Sequence, residues 1–177
     1  YGVDCFVGAT LQMDAEGNSS TATRDRISGF GGAPNLGSDA PGRRHGSPAW
    51  LKAGDEIAEA VRRNGGPVGP SRGRKLVVQI TPTVSEKGGI PVFVPELDGP
   101  AFFRECGLDG VPIMIYGDDL THIVTERGIA HLLRCATRDE RRAAIRAIAG
   151  DTPVGRGEKP EETRALRRLG IVQTPED

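Results

Sequence analysis

The chain has 177 residues, of which 27% are charged, and a formal net charge of −1. That length suits one large domain or two small ones and is enough to bury a sizeable core. The balanced charge removes any global electrostatic case for nucleic acid or an anionic membrane, and no apolar run approaches the roughly 20 residues that span a bilayer.

Residues 3–13 read as a buried strand, Asp14 to Asn18 as a turn, and Ser19 to Arg26 as a returning strand, which together predict a hairpin. A chain that opens on Tyr1 and enters a strand at once is expected to be the later part of a longer subunit. Residues 55–63 carry Ile57 and Val61 at helical spacing, inside a mobile excursion expected over about 54–73. Strand signals follow at Lys75–Thr81 and Ile90–Val94. Asp98-Gly99-Pro100 opens a short helix to about Glu105. Val111–Tyr116 and Leu120–Thr125 read as strands around a Gly117-Asp118-Asp119 turn, and Glu126–Arg134 as a helix packing Ile129, Leu132 and Leu133. Thr137-Arg138-Asp139-Glu140 is a capping box. Its helix runs to Ala149, stops at Gly150, buries Ala144, Ile145 and Ile148, and presents Arg138, Arg141, Arg142 and Arg146 as a solvated basic side. After a loop over 151–159, Pro160 starts a last helix that Gly170 closes, and Thr174–Asp177 is expected to fray. Short strands mixed with helices make the fold α/β: an open sheet, mixed or mainly parallel, with helical cover, the last helices forming a C-terminal extension at about 137–170.

Cys5, Cys106 and Cys135 are odd in number and lack CxxC spacing. They read as free buried thiols in a reducing cytoplasm and give no zinc site. Gly117-Asp118-Asp119 offers oxygen ligands, but a turn role fits it better, so no metal is expected. His122, in a strand, and His131, on the predicted helix, read as structural.

The stretch from Gly29 to Trp50 holds six glycines and three prolines. It cannot be the interior of a regular helix or strand. Gly29-Phe30-Gly31-Gly32 suits a loop of exposed backbone N–H groups that a carbonyl or phosphate oxygen can approach closely, as in an oxyanion hole. It is neither a Walker loop nor GxGxxG. Downstream, Arg43, Arg44 and His45 supply cationic donors, and an arginine fork matches a carboxylate or phosphate at two points.

Several of these segments together resemble one family. Leu11-Gln12-Met13-Asp14 with Gly17-Asn18, Gly29-Phe30-Gly31-Gly32-Ala33-Pro34-Asn35, and Gly42-Arg43-Arg44-His45 with Pro48-Ala49-Trp50-Leu51 resemble the malonate decarboxylase α subunit. Tyr116-Gly117-Asp118-Asp119, Thr121-His122-Ile123-Val124-Thr125-Glu126 and Gly128-Ile129-Ala130 are similar to the same subunit's C-terminal half. The resemblance implies a coenzyme A transferase-like domain. It also implies an enzyme that exchanges acetate for malonate on an acyl carrier protein's thioester, working beside other decarboxylase subunits. The phosphoribosyl-dephospho-CoA-type prosthetic group would belong to the carrier, with none bound covalently to this chain.

Many members of the wider group carry a catalytic glutamate in a strand before the glycine loop. Here Gln12 stands at that position, as it does in the citrate lyase α family. An amide is no carboxylate nucleophile, so the resemblance points to direct attack of malonate on the thioester. Gln12, Gly31 and Gly32 are then the expected catalytic groups. Asn18, Phe30, Asn35, Arg43, Arg44 and His45 are expected to bind the substrate or the carrier's arm. A citrate lyase α-type or other CoA transferase, and a non-catalytic half-domain that docks subunits or a nucleotide arm, are the alternatives.

Overall fold

The structure, a computed structural model, describes residues 5–24, 28, 76–86, 89–107 and 113–177. The predicted helix at 55–63, the excursion over 54–73 and the Gly29–Trp50 stretch lie outside those residues.

A five-stranded sheet with the order β1-β4-β5-β6-β7 forms the frame. Its strands are β1 (Cys5–Gly8), β4 (Leu76–Ile80), β5 (His122–Thr125), β6 (Gly128–His131) and β7 (Val172–Gln173). The β1–β4 and β4–β5 pairs are parallel, whereas β5–β6 and β6–β7 are antiparallel. The sheet is therefore mixed and the class α/β, as the sequence predicts. A separate two-stranded ribbon pairs β2 (Gln12–Met13) with β3 (Ser19–Ser20).

Alternation along β4 sets the two faces. Val77 and Gln79 are buried on one side, and Leu76 and Ile80 are exposed on the other. The buried side receives helix α2 (Arg138–Ile148), whose Ala144, Ile145 and Ile148 are fully covered at the predicted spacing. Helix α3 (Pro160–Arg168) adds Leu166 and packs on α2 and β7. Met13, Phe93, Ile115, Leu120, Ile123 and Leu132 complete the core.

Several predicted elements take another form. The strand expected over 3–13 breaks after Gly8, so Gln12 and Met13 leave the main sheet and pair with β3, and β1 is half-exposed rather than buried. Residues 90–94 join by single bridges at Pro91 and Phe93, and 113–116 by one at Ile115, so neither segment makes a full strand. The helix expected at Glu126–Arg134 is instead a turn, β6 and a short 3-10 turn (Leu132–Arg134). Thr125 pairs with Gly128, which leaves the two-residue loop of a tight hairpin. Gly128 has φ 151°, and a Cβ there would lie 2.2 Å from the Gln173 carbonyl, so β7 can pair only against a glycine. His131 thus sits on a strand opposite His122, with ring centroids 5.0 Å apart.

Helix α2 starts as its sequence demands. The Thr137 hydroxyl accepts from the Glu140 N–H at 3.1 Å, while the Glu140 carboxylate accepts from the Ala136 N–H rather than from Thr137 itself. Its basic side is not wholly solvated: Arg141 is buried, while Arg142 pairs with Glu16 and Asp139. The tail is tied down instead of frayed, because Asp177 pairs with Arg167 and accepts from the Thr174 N–H at 2.8 Å. Cys135 is buried, but Cys5 and Cys106 are exposed, so burial does not extend to all three thiols. No described helix is long and apolar enough to cross a membrane.

Candidate active site

Gln12 lies just past the carboxyl end of β1, in the buried β2–β3 ribbon. Its carboxamide meets helix α1 (Asp98–Glu105) at two points. Gln12 Nε2 donates to Asp98 Oδ2 at 2.9 Å, and Gln12 Oε1 accepts from the Asp98 backbone N–H at 2.9 Å. No side chain of α1's own N-cap, Leu97, covers the first turn, so Gln12 does so from across the fold. The Asp98 carboxylate in that first turn also suits the helix dipole.

The far end of α1 is held by Arg24, four residues past β3. Arg24 donates through Nη1 and Nη2 to the two oxygens of Glu105, each at 2.7 Å. This forked pair holds the exposed Glu105 carboxyl below the usual range, through the Arg24 hydrogen bond above all. Gly99 is the one fully buried residue of α1, and polar clamps hold its two ends. Asp98 is the residue that sequence reasoning missed here. Its place at a helix start was legible, but its partner is 86 residues away.

Asn18 belongs to a different network. Its Nδ2 donates to Asp14 Oδ2 at 2.9 Å, and its Oδ1 accepts from the Gly117 N–H at 3.0 Å. Asp14 Oδ1 accepts from the N–H groups of Glu16 and Asn18, each at 2.9 Å, which closes the turn. Gly17 takes φ 85°, and a Cβ on Gly117 would sit 1.9 Å from the Glu16 carbonyl. The Asp14-x-x-Gly17-Asn18 signature therefore docks the ribbon's turn onto the 117–120 segment.

Behind that segment, Arg141 donates to the carbonyls of Leu132 at 3.0 Å and Leu120 at 3.2 Å, and also to that of Gly117. Burial pushes its guanidinium pKa down, although the ring of carbonyls satisfies it. At the opposite end of β5, the Thr83 N–H and hydroxyl donate to the Glu126 carboxylate. Burial pushes that carboxyl up, but the Thr83 contacts and the backbone N–H groups outweigh it and leave the group below its ordinary value.

Of the predicted site residues, Gln12 and Asn18 are described, and they serve separate networks. Phe30, Gly31, Gly32, Asn35, Arg43, Arg44 and His45 lie outside the described residues. Among the described residues, no group of three or more metal-ligating side chains converges.

Chemically, the Gln12 position offers an amide, not a nucleophile. A carboxamide has two N–H donors and an oxygen with two lone pairs. Asp98 takes one of each, which leaves one donor and one lone pair in fixed orientation.

Comparison with known proteins gives the family. The family described as malonate decarboxylase, alpha subunit, transporter, matches residues 1–177. The chain is 52% identical over all its 177 residues to a protein of Malonomonas rubra named acetyl-S-ACP:malonate ACP transferase, and covers 31% of that protein. A crystal structure of the Acinetobacter baumannii malonate decarboxylase alpha subunit superposes with a TM-score of 0.78 at 49% identity, over 99% of this chain and 32% of that one. A Pseudomonas malonate decarboxylase hetero-tetramer in complex with malonate gives a TM-score of 0.78 at 50% identity, over 100% of this chain and 30% of its match. The chain thus spans about a third of the length of the relatives it matches. It belongs to the malonate decarboxylase α-subunit family.

Proposed function

We propose that this chain is part of a cytoplasmic transferase subunit that exchanges acetate for malonate on a carrier-protein thioester: acetyl-S-carrier plus malonate gives malonyl-S-carrier plus acetate. The observation that carries this reading is the 52% identity, over the whole chain, to a protein named for that transfer. The Pseudomonas relative's hetero-tetramer with malonate supports other decarboxylase subunits as partners and malonate as substrate.

The amide at Gln12 shapes the mechanism. With no carboxylate nucleophile at that position, a malonate oxygen attacks the acetyl thioester carbonyl. The carbon–sulfur bond breaks, leaving a mixed acetic–malonic anhydride and the carrier thiolate. The thiolate then attacks the malonyl carbonyl and expels acetate. Both steps develop an oxyanion, and the backbone N–H groups of Gly31 and Gly32 are its proposed donors. Gln12, aimed by Asp98, gives its remaining N–H to the reacting carboxylate or to the oxyanion. Arg43, Arg44 and His45 hold malonate's distal carboxylate or a phosphate of the carrier's arm, and Phe30 and Asn35 line the same loop. Asn18 serves through the turn it fixes. The carrier's phosphoribosyl-dephospho-CoA-type group delivers the thiol.

The test is transfer by the full-length subunit, given acetyl-loaded carrier and labelled malonate. Label on the carrier together with free acetate supports the reading, and absence of both refutes it. If Gln12→Ala and Gly32→Val both transferred at the parent rate, the site assignment would fail even with the function intact.

A further inference from the structure

His122 and His131 face each other across the antiparallel β5–β6 pair. Alternation along the strands puts both on the sheet face opposite Ile123 and Ala130, which are 0% exposed. Both histidines are half-buried, with ring centroids 5.0 Å apart and ring planes at 86°. Val78 is in register with His122, and Val124 and Ile129 stand beside the pair on the same face.

A neighbour sets the tautomer of each ring. Thr121 is fully buried, and its one hydroxyl proton goes to the Val77 carbonyl at 2.9 Å. Toward His122 Nδ1, 3.0 Å away, the Thr121 oxygen can only accept, so Nδ1 carries the proton and Nε2 keeps a lone pair. Gln173 Oε1, also an acceptor, lies 3.2 Å from His131 Nε2, which puts the proton there and the lone pair on Nδ1. Among the described residues, neither of these two free nitrogens meets a hydrogen-bond donor. Metal-ligating histidines are held in this way, with the other ring N–H given to an outer partner that orients the imidazole.

We propose that His122 Nε2 and His131 Nδ1 together bind one borderline divalent metal ion of the zinc type. Imidazole nitrogen suits zinc, copper and nickel rather than magnesium or calcium. Two imidazoles on one tetrahedral zinc ion, at Zn–N of about 2.0–2.1 Å, hold their ring centroids roughly 5 Å apart, which is the spacing found across β5–β6. No third metal-ligating side chain among the described residues joins them, so two protein ligands make a site of modest affinity. Arg134, the cation that bears on His122, is engaged with the Gly170 carbonyl at 2.7 Å.

The test is a calorimetric titration of the full-length subunit, stripped with a chelator, with zinc ion alone. The parent should take up one zinc ion per subunit more than either His122→Gln or His131→Gln. Gln173→Leu keeps both ligands and removes the oxygen that orients His131, so it should bind that ion about tenfold more weakly. Equal uptake by the parent and the two histidine variants would overturn the assignment. A second readout needs no variant: zinc should protect His122 and His131 from diethyl pyrocarbonate, read peptide by peptide. Modification of either residue at its zinc-free rate would overturn the assignment as well. Neither readout contains carrier or malonate, so a failure of the transfer reaction leaves both valid.

Discussion

The Gln12 carboxamide and the first residue of α1, Asp98, hold each other by two reciprocal hydrogen bonds of 2.9 Å. A glutamate at position 12 could not make that pair at neutral pH, because its carboxylate would face the Asp98 carboxylate with no donor to offer. The amide is therefore built into the local fold as well as into the proposed chemistry.

Gln12→Ala should loosen α1 first. Two hydrogen bonds go, one of them covering a helix-start N–H, at a cost of about 1–3 kcal/mol. Since α1 has one buried residue, the effect should be local. Hydrogen exchange should speed up over residues 98–105 and stay unchanged in α2. Transfer should fall by roughly 10²–10³-fold if the remaining N–H meets the developing charge.

Gln12→Glu should behave differently with pH. The Asp98 carboxylate would raise the introduced group's folded pKa above its unfolded value of about 4.3. A raised carboxyl pKa gives stability that is full below the unfolded value and lost as pH rises through the folded one. The variant should thus match the parent near pH 4 and fall behind it toward about pH 7 in denaturant midpoints.

Arg141 bridges two segments through three carbonyls, Gly117 and Leu120 in one and Leu132 in the other. Arg141→Met would remove all three bonds behind the ribbon's docking surface, leaving Gly117 and Leu132 with their backbone N–H partners, at a cost of about 1–3 kcal/mol. Because Gly117 also receives Asn18 through its N–H, Asn18→Ala and Arg141→Met should not add in a double-mutant cycle of urea midpoints.

His122 gives a second pH dependence. Burial pushes its imidazole pKa down, and the charges of His131 and Arg134 push the same way. A depressed histidine favours its neutral form in the fold. The stability it retains is full above the unfolded value of about 6.5 and is lost as pH falls from there toward the folded value. Urea midpoints taken from about pH 7.5 to pH 5 should be level at first and then decline, and His122→Gln should remove part of the decline.

Much of this was legible in the sequence where local signals decide. Thr137 and Glu140 announced the start of α2, Gly150 and Gly170 ended α2 and α3, and the apolar spacing of Ala144, Ile145 and Ile148 named the buried face. Where long-range pairing decides, local pattern misled. Glu126–Arg134 has helix-like spacing, yet β5 and β7 recruit it as a strand because Gly128 lets Gln173 approach. Arg141 looked like one more surface arginine, since the carbonyls it serves come from 9 to 24 residues away. Gln12 could be singled out by its position in a family-like motif, but Asp98 could not, because no spacing links residues 86 apart.

The most direct measurement is a single turnover with malonate labelled by ¹⁸O in its carboxylates and unlabelled acetyl carrier. Direct attack by malonate places a malonate oxygen between the two carbonyls, and that oxygen leaves with acetate. One ¹⁸O in the acetate of the first turnover is the predicted result. Unlabelled first-turnover acetate, with the ¹⁸O found in a protein carboxylate, would contradict it and put an enzyme nucleophile in place of the amide at Gln12.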